Sequence, residues 1–238
     1  MDWLILAIVQ GLTEWLPISS SGHLVILQQF LKGDVLLDAS LHLGTTLAVI
    51  VYMWKYLIDY LKDKQMLVNI GIAVLPITII GYFFQDYIES AFSNPKLVSV
   101  LLIVNGIILL LTKRFNGNKT LDVKKSFYIG LAQVLALLPG ISRSGVTIST
   151  GIFSGMNREK AARFSFAISI IPLLGAFTLQ WYKNNFILNP LAVLVSFLVG
   201  LGAIHFLMRY IKNIHLFGYY CIAFGTINYL ISLVLNIA

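Results

Sequence analysis

The stretch QGLTEWLPISSSGHL, residues 10–24, interrupts an apolar sequence with a carboxylate, a histidine, four hydroxyl groups, a proline and two glycines. Pro17 lacks a backbone N–H, and the run from Ser19 to Gly22 has low helix propensity. Neither flanking apolar run reaches the roughly 20 residues that a transmembrane helix needs. The stretch therefore predicts two helical arms joined by a broken tip. An ordinary loop between two helices is the alternative.

A second stretch, QVLALLPGISRSGVTI at residues 133–148, repeats the pattern. Aligned without a gap on Gly22 and Gly145, the two stretches share six residues. The shared pairs are Gln10 and Gln133, Leu12 and Leu135, Ile18 and Ile141, Ser19 and Ser142, Ser21 and Ser144, and the two glycines. This similarity predicts an internal duplication. We expect one membrane domain over residues 1–238, with one repeat at about 1–115 and the other at about 121–238.

The composition is that of a membrane protein. Hydrophobic residues make up 58% of the chain and charged residues 11%, which is too apolar for a soluble domain of this size. The net charge of +7 is therefore better explained by cytoplasmic loops than by binding to nucleic acid. Cys221 is the single cysteine, which excludes an intramolecular disulfide and a cysteine metal site. The first residues lack a basic segment, so we expect no cleavable signal peptide there.

The pattern along the chain predicts an all-α polytopic membrane protein. The broken elements have arms at residues 1–16 and 22–31, and at 126–139 and 145–155. Spanning helices are expected at 38–57, 66–84, 97–112, 162–182, 190–208 and 214–237, with a polar turn at 85–95 and a longer polar segment at 113–125. If each broken element is a re-entrant pair, three crossings follow it. Three is odd, so the second half is inserted upside down as an inverted-topology repeat.

The basic residues support this arrangement, because they fall unequally on its two sides. One side receives thirteen: Lys55, Lys62, Lys64, Lys113, Arg114, Lys119, Lys124, Lys125, Arg158, Lys160, Arg163, Arg209 and Lys212. The other receives three: Lys32, Lys96 and Lys183. Basic loops face the cytoplasm. We therefore expect a multi-pass protein of the cell membrane with both termini outside, the first tip entering from outside and the second from the cytoplasm.

Arg143, the remaining basic residue, lies inside the second apolar stretch, and Glu14 is its acidic counterpart in the first. A charge at that depth is costly and normally has a partner and a function. Non-helical backbone at membrane depth needs protein or a water-filled cavity around it. We therefore expect the two tips to meet around a polar cavity near the midplane. A buried ion pair that only fixes the fold is the alternative.

The side chains at the tips are suited to phosphate chemistry. Helix starts bind anions, and the arginine fork matches phosphate oxygens. Glu14 can hold a divalent metal or act as a base, His23 can transfer protons, and Ser20 or Ser19 can act as a nucleophile. A structural hydrogen bond for His23, and helix capping for any one serine, are the alternatives. Among the other histidines, only His42 lies near polar neighbours. The expected phosphate-binding residues are Ser19, Ser21, Ser142, Arg143, Ser144 and Gly145.

These two motifs, QGLTEWLPISSSGH at residues 10–23 and PGISRSG at 139–145, resemble the two signatures of the undecaprenyl pyrophosphate phosphatase family of the bacitracin-resistance type. The resemblance covers nearly the whole chain. It implies Glu14, His23, Ser20 and Arg143 as catalytic residues and Glu14 with Gln10 as metal ligands. Gln10 is an amide where many members have glutamate, so Glu14 is the only carboxylate of the motif. The chain is also shorter than typical members, mostly in its loops.

The resemblance further implies hydrolysis of a C55 polyprenyl diphosphate to the monophosphate, which recycles the lipid carrier for cell-wall polymers. It implies a divalent cation, Mg²⁺ or Ca²⁺, as cofactor. We expect the diphosphate to enter from the outer face while the prenyl tail stays among membrane lipids. Ser20 or a water would attack, with His23 handling the proton. The sequence is compatible with a homo-oligomer. The competing hypothesis is a transporter or flippase of a phosphate-headed polyprenyl lipid, since broken helices at the midplane are typical of carriers.

Overall fold

The computed structural model describes residues 2–33, 35–184 and 188–234, and these ranges are helical without a β-strand. Their helices are α1 (Asp2–Trp15), α2 (Ser20–Leu27), α3 (Val35–Tyr52), α4 (Trp54–Lys62), α5 (Lys64–Phe83), α6 (Gln85–Phe92), α7 (Pro95–Leu111), α8 (Val123–Leu135), α9 (Arg143–Phe153), α10 (Arg158–Asn184), α11 (Pro190–Tyr210) and α12 (Leu216–Val234). The last residues of the expected span 214–237 lie outside the described ranges.

Five of these helices are individually long and apolar enough to cross a membrane: α5, α7, α10, α11 and α12. A sixth crossing is available if α3 and α4 are counted together. Since apolar stretches of about 20 residues are the signature of transmembrane helices, the prediction of an all-helical polytopic membrane protein is confirmed.

Two predictions for the first half were wrong. The expected span 38–57 ends at Tyr52, where the chain bends by 73° into α4. This helix carries Lys55, Asp59 and Lys62, and none of its residues is buried, which is typical of a helix that lies along the membrane surface. The expected polar turn at 85–95 contains α6. That segment has no glycine or proline before Pro95, so nothing prevents a short helix there.

The breaks in the two predicted elements are confirmed, and re-entry of each pair into the membrane stays a prediction. Helix α1 ends at Trp15 and α2 begins at Ser20, while α8 ends at Leu135 and α9 begins at Arg143. Serine side chains cap both second arms, because Ser19 Oγ accepts from the Gly22 N–H at 3.2 Å and Ser142 Oγ accepts from the Gly145 N–H at 3.1 Å. The serine run therefore ends one helix and starts the next.

The packing joins the two halves of the chain. Helix α7 packs against α12, α3 and α1 pack against α11, and α5 packs against α8. Close approach at the α7–α12 crossing depends on glycine, since a Cβ at Gly106 would lie 2.6 Å from the Gly218 carbonyl oxygen. The largest apolar core also draws on both halves, with Trp15 and Val49 beside Phe166 and Ile204. This packing holds the two breaks against each other.

Candidate active site

Glu14 and Arg143 form an ion pair across the two breaks, although they are separated by 129 residues in the chain. Arg143 Nη2 donates to Glu14 Oε1, and Nη1 donates to the Ser169 carbonyl at 3.1 Å. The side chains are only 5% and 13% exposed. The ring of Trp15 covers the guanidinium at 5.6 Å. The expectation that the two tips meet is therefore confirmed, while a polar cavity around them near the midplane stays a prediction.

The second carboxylate oxygen of Glu14 collects the polar groups of the first tip. Ser20 Oγ donates to Oε2 at 2.6 Å, and Gln10 Nε2 donates to it at 2.9 Å from one helical turn earlier. His42, on α3, places its Nε2 3.6 Å from the same oxygen. Glu14 is thus shared between Arg143 on one side and a serine, an amide and an imidazole on the other.

The contact between Ser20 and Glu14 suits Ser20 to nucleophilic attack. A serine hydroxyl needs an adjacent base to become a nucleophile. Glu14 is the carboxylate placed to be that base, since it accepts the hydroxyl hydrogen of Ser20 at 2.6 Å. The geometry differs here from the sequence analysis, which assigned the proton to His23.

His23 lies in a different set of contacts from the one expected. Its Nδ1 is 2.7 Å from the Ser19 carbonyl and its Nε2 is 2.7 Å from the Tyr220 hydroxyl. Because a carbonyl only accepts, Nδ1 carries the hydrogen, and in the neutral ring Nε2 then accepts from the Tyr220 hydroxyl. The ring also stacks on Phe224 at 4.4 Å. Its hydrogen bonds within the described residues match the structural alternative, and its catalytic role stays a prediction.

The predicted phosphate-binding residues surround the junction, but several hold the backbone. Ser19 and Ser142 are the helix caps, and the Gly145 N–H is used by the second of them. Ser144 Oγ donates to the Leu16 carbonyl at 3.2 Å, which links the second tip to the first. Ser21 Oγ lies 3.3 Å from Ser19 Oγ. Capping accounts for two of these serines, and phosphate binding stays a prediction for the set.

Backbone strain is concentrated at the first tip. Ser19 has φ 68°, the one positive value of a non-glycine residue in the described ranges. Gly140, at the second tip, has φ 103°, and a Cβ there would lie 2.5 Å from the Val98 carbonyl oxygen. A strained residue survives only where its surroundings hold it in place. Both tips are therefore tightly held.

Asn105 is a site residue that the sequence analysis missed. It lies fully buried on α7, where its Nδ2 donates to the Pro17 carbonyl at 3.0 Å and its Oδ1 accepts from the Ser142 N–H at 3.1 Å. One amide thus ties the two tips together. The signal was available, because a polar side chain within the apolar run of residues 97–111 normally has a functional or packing role.

The residues around Glu14 fit a divalent cation that is shared with a phosphate. No group of three or more histidine, cysteine, aspartate or glutamate residues suited to a metal occurs within the described ranges. However, the buried Oε1 of Gln10 has no hydrogen-bond partner among the described residues, and it lies on the amide that contacts Glu14. Mg²⁺ commonly takes one or two protein oxygens and completes its shell with water and phosphate. Gln10 and Glu14 supply that number of oxygen ligands.

Comparison with known proteins gives a consistent family. The family described as bacitracin resistance protein BacA matches residues 3–227. A protein named undecaprenyl-diphosphatase from Korarchaeum cryptofilum is 40% identical, over 93% of this chain and 95% of its own. Proteins of the same name from Thermotoga petrophila and Methanococcus maripaludis are 36% and 37% identical, over 96% and 93% of this chain and 99% and 96% of their own. The chain therefore belongs to the bacitracin resistance protein BacA family.

Proposed function

We propose that this protein hydrolyses undecaprenyl diphosphate to undecaprenyl monophosphate and inorganic phosphate. The observation that carries the proposal is the Ser20–Glu14–Arg143 arrangement, in which a hydroxyl, a carboxylate and a guanidinium from two separate helix breaks lie in contact. The names of the relatives support the same substrate. This is the chemistry of phosphoryl transfer, where positioning and charge stabilisation provide most of the rate enhancement.

Arg143 binds the diphosphate in this proposal. A guanidinium has five N–H donors, and the contacts with Glu14 and the Ser169 carbonyl use two of them. The other three have no acceptor among the described residues and can bind phosphate oxygens. Trp15 and Ser169 hold the side chain in place, so its charge is oriented before the substrate arrives. Lysine could not replace it, because an ammonium lacks the planar fork.

Ser20 attacks the terminal phosphorus, and Glu14 accepts the hydroxyl proton. A bond forms between Ser20 Oγ and phosphorus while the bond to the bridging oxygen breaks, and undecaprenyl monophosphate leaves with the electron pair. Water then cleaves the phosphoserine and releases inorganic phosphate. The 2.6 Å contact of Ser20 with Glu14 supports this route. The alternative mechanism is direct attack by a water that Glu14 orients. In that case Ser20→Ala would keep its activity.

A divalent cation, Mg²⁺ or Ca²⁺, would be held by Glu14 and Gln10. Bound there, it would offset the negative charge that develops on the diphosphate. The unpartnered oxygen of Gln10 supports this part of the proposal. Phosphate release that stops when a chelator is added, and returns with excess Mg²⁺, is the expected result.

The site is proposed to open to the outer face, in an inverted-repeat protein with both termini outside. The helix pairing supports the repeat. If the halves correspond in chain order, α1 matches α8, α3 matches α10, α5 matches α11 and α7 matches α12. Exchanging the two halves then turns the pair α1–α11 into the pair α8–α5. It leaves the pairs α7–α12 and α3–α10 unchanged, because each joins two matching helices. All four pairs are in contact, as a repeat requires. The charge count of the sequence supports the orientation.

Release of inorganic phosphate from undecaprenyl diphosphate by the purified protein in detergent tests the proposal. A hydrolase needs no second compartment, whereas a carrier shows activity only across a membrane. Wild-type protein should release phosphate. Ser20→Ala should release it at least about 100-fold more slowly, because removal of an essential nucleophile lowers kcat by at least that factor. Lipid movement in vesicles without phosphate release would favour the carrier instead.

A further inference from the structure

His42 makes a contact with the site that the proposed reaction does not use. It lies on α3, and its Nε2 is 3.6 Å from Glu14 Oε2. Its Nδ1 is 2.8 Å from the carbonyl oxygen of Asp38, one helical turn earlier. The carbonyl can only accept, so Nδ1 carries the hydrogen. In the neutral ring the lone pair is then on Nε2, the nitrogen beside Glu14.

The spacing of these two atoms fits ligands of one metal ion better than a hydrogen bond. A distance of 3.6 Å exceeds the range of an N–H···O hydrogen bond. Ligands bound at about 2.1 Å to one ion lie roughly 3.0–3.4 Å from each other in octahedral or tetrahedral geometry, so the observed 3.6 Å is about 0.2 Å longer than the upper end of that range. The contact of Nδ1 with the Asp38 carbonyl is also the outer-shell support that metal-binding histidines usually have.

Gln10 provides an independent observation at the same place. Its side chain is fully buried, and in the part of the chain that the structure describes its Oε1 has no hydrogen-bond partner. Its Nε2 donates to the same Glu14 oxygen that faces His42. Rotation of the amide by half a turn would exchange the positions of its oxygen and its nitrogen. The oxygen would then lie beside Glu14, where a bound cation would be its partner. A buried acceptor without a partner is costly, and a bound cation would remove that cost.

We propose that His42 is a third protein ligand of a divalent cation, with Glu14 and Gln10 as the other two. This inference rests on the metal dependence in the proposed function, and it specifies which residues bind the metal and which metals they prefer. The imidazole compensates for the carboxylate that Gln10 does not supply. A nitrogen ligand favours Mn²⁺, Co²⁺ or Zn²⁺ over Ca²⁺, which prefers an all-oxygen shell.

Pulsed electron paramagnetic resonance of Mn²⁺ bound to the full-length protein in detergent tests this assignment, with inorganic pyrophosphate added as a head-group mimic. Wild-type protein should show modulation from a directly coordinated nitrogen. His42→Gln should lose it, because an amide offers the ion only its oxygen, and it should bind Mn²⁺ more weakly by calorimetry. His205→Gln, a change at another histidine of a spanning helix, should keep the signal.

Three outcomes would overturn the assignment: wild-type protein that binds no Mn²⁺, bound Mn²⁺ without nitrogen coupling, or coupling that persists in His42→Gln. His42→Asp guards against a variant that simply fails to fold, because its oxygen should restore Mn²⁺ binding without the nitrogen signal. Phosphate release is measured on the same wild-type preparation. Hydrolysis without nitrogen coupling would contradict the His42 ligand alone, whereas nitrogen-coupled Mn²⁺ without hydrolysis would contradict the proposed function alone.

Discussion

Asn105→Ala should separate the two tips, because this one amide bonds to both. The change removes the donor to the Pro17 carbonyl and the acceptor of the Ser142 N–H, at 3.0 and 3.1 Å. Both contacts are buried. A buried polar group left without a partner costs about 1–3 kcal/mol, so the two losses should lower the free energy of unfolding by up to roughly 6 kcal/mol. The Pro17 carbonyl keeps a weak contact with the Cys221 thiol at 3.8 Å, which reduces its share of the loss. Removing the side chain also leaves a cavity, which adds to the loss.

The same change should slow catalysis. Arg143 follows Ser142 directly, and a displacement of about 1 Å between catalytic groups can reduce the rate roughly 100-fold. The assay is unfolding in mixed micelles, together with phosphate release measured on the folded fraction. Asn228→Ala is the matched control, because the amide of Asn228 donates within its own helix, to the Phe224 carbonyl at 2.7 Å. Equal stability and equal rates in the two variants would refute the view that Asn105 joins the tips.

Two further predictions concern the metal and the orientation. Glu14→Gln should abolish phosphate release and its metal dependence together, since Glu14 is the charged oxygen ligand in the proposed site; wild-type activity that persists in excess chelator would remove the metal from the mechanism. In a background lacking Cys221, a cysteine at Ser93 should react with an impermeant thiol reagent on intact cells, and one at Asn118 should be protected, as the charge count predicts. The opposite labelling pattern would reverse the orientation.

The sequence was sufficient to predict the breaks and their meeting. Pro17 and the serine run cannot continue a helix in the first element, and Pro139 with Gly140 has the same effect in the second. Arg143 and Glu14 are costly in an apolar segment unless they are paired, so each indicated the other. These inferences succeed because they depend on local propensity and on the cost of burying a charge.

Partners supplied by other helices could not be predicted in this way. His23 hydrogen-bonds Tyr220, which lies 197 residues further along the chain. His42 reaches Glu14 only because α3 packs beside α1. The bend at Met53 was also not predictable, because residues 54–57 could either extend α3 or form the first turn of a separate helix. In the structure they form the first turn of the amphipathic α4. Hydrophobic periodicity does not determine which helix faces which, and tertiary packing decided these cases.

The central claim is that Glu14 and Arg143, from two separate helix breaks, act as one catalytic unit on a diphosphate. The most direct measurement is kcat/KM for phosphate release from undecaprenyl diphosphate by Glu14→Gln, Arg143→Lys and the double variant, each shown to be folded. Lysine lacks the planar fork with which Arg143 bonds to Glu14 and to the Ser169 carbonyl, so Arg143→Lys should lose most activity. Residues that act as a unit are not additive, so the double variant should be little worse than the worse single variant. Losses that multiply in the double variant would contradict the shared site.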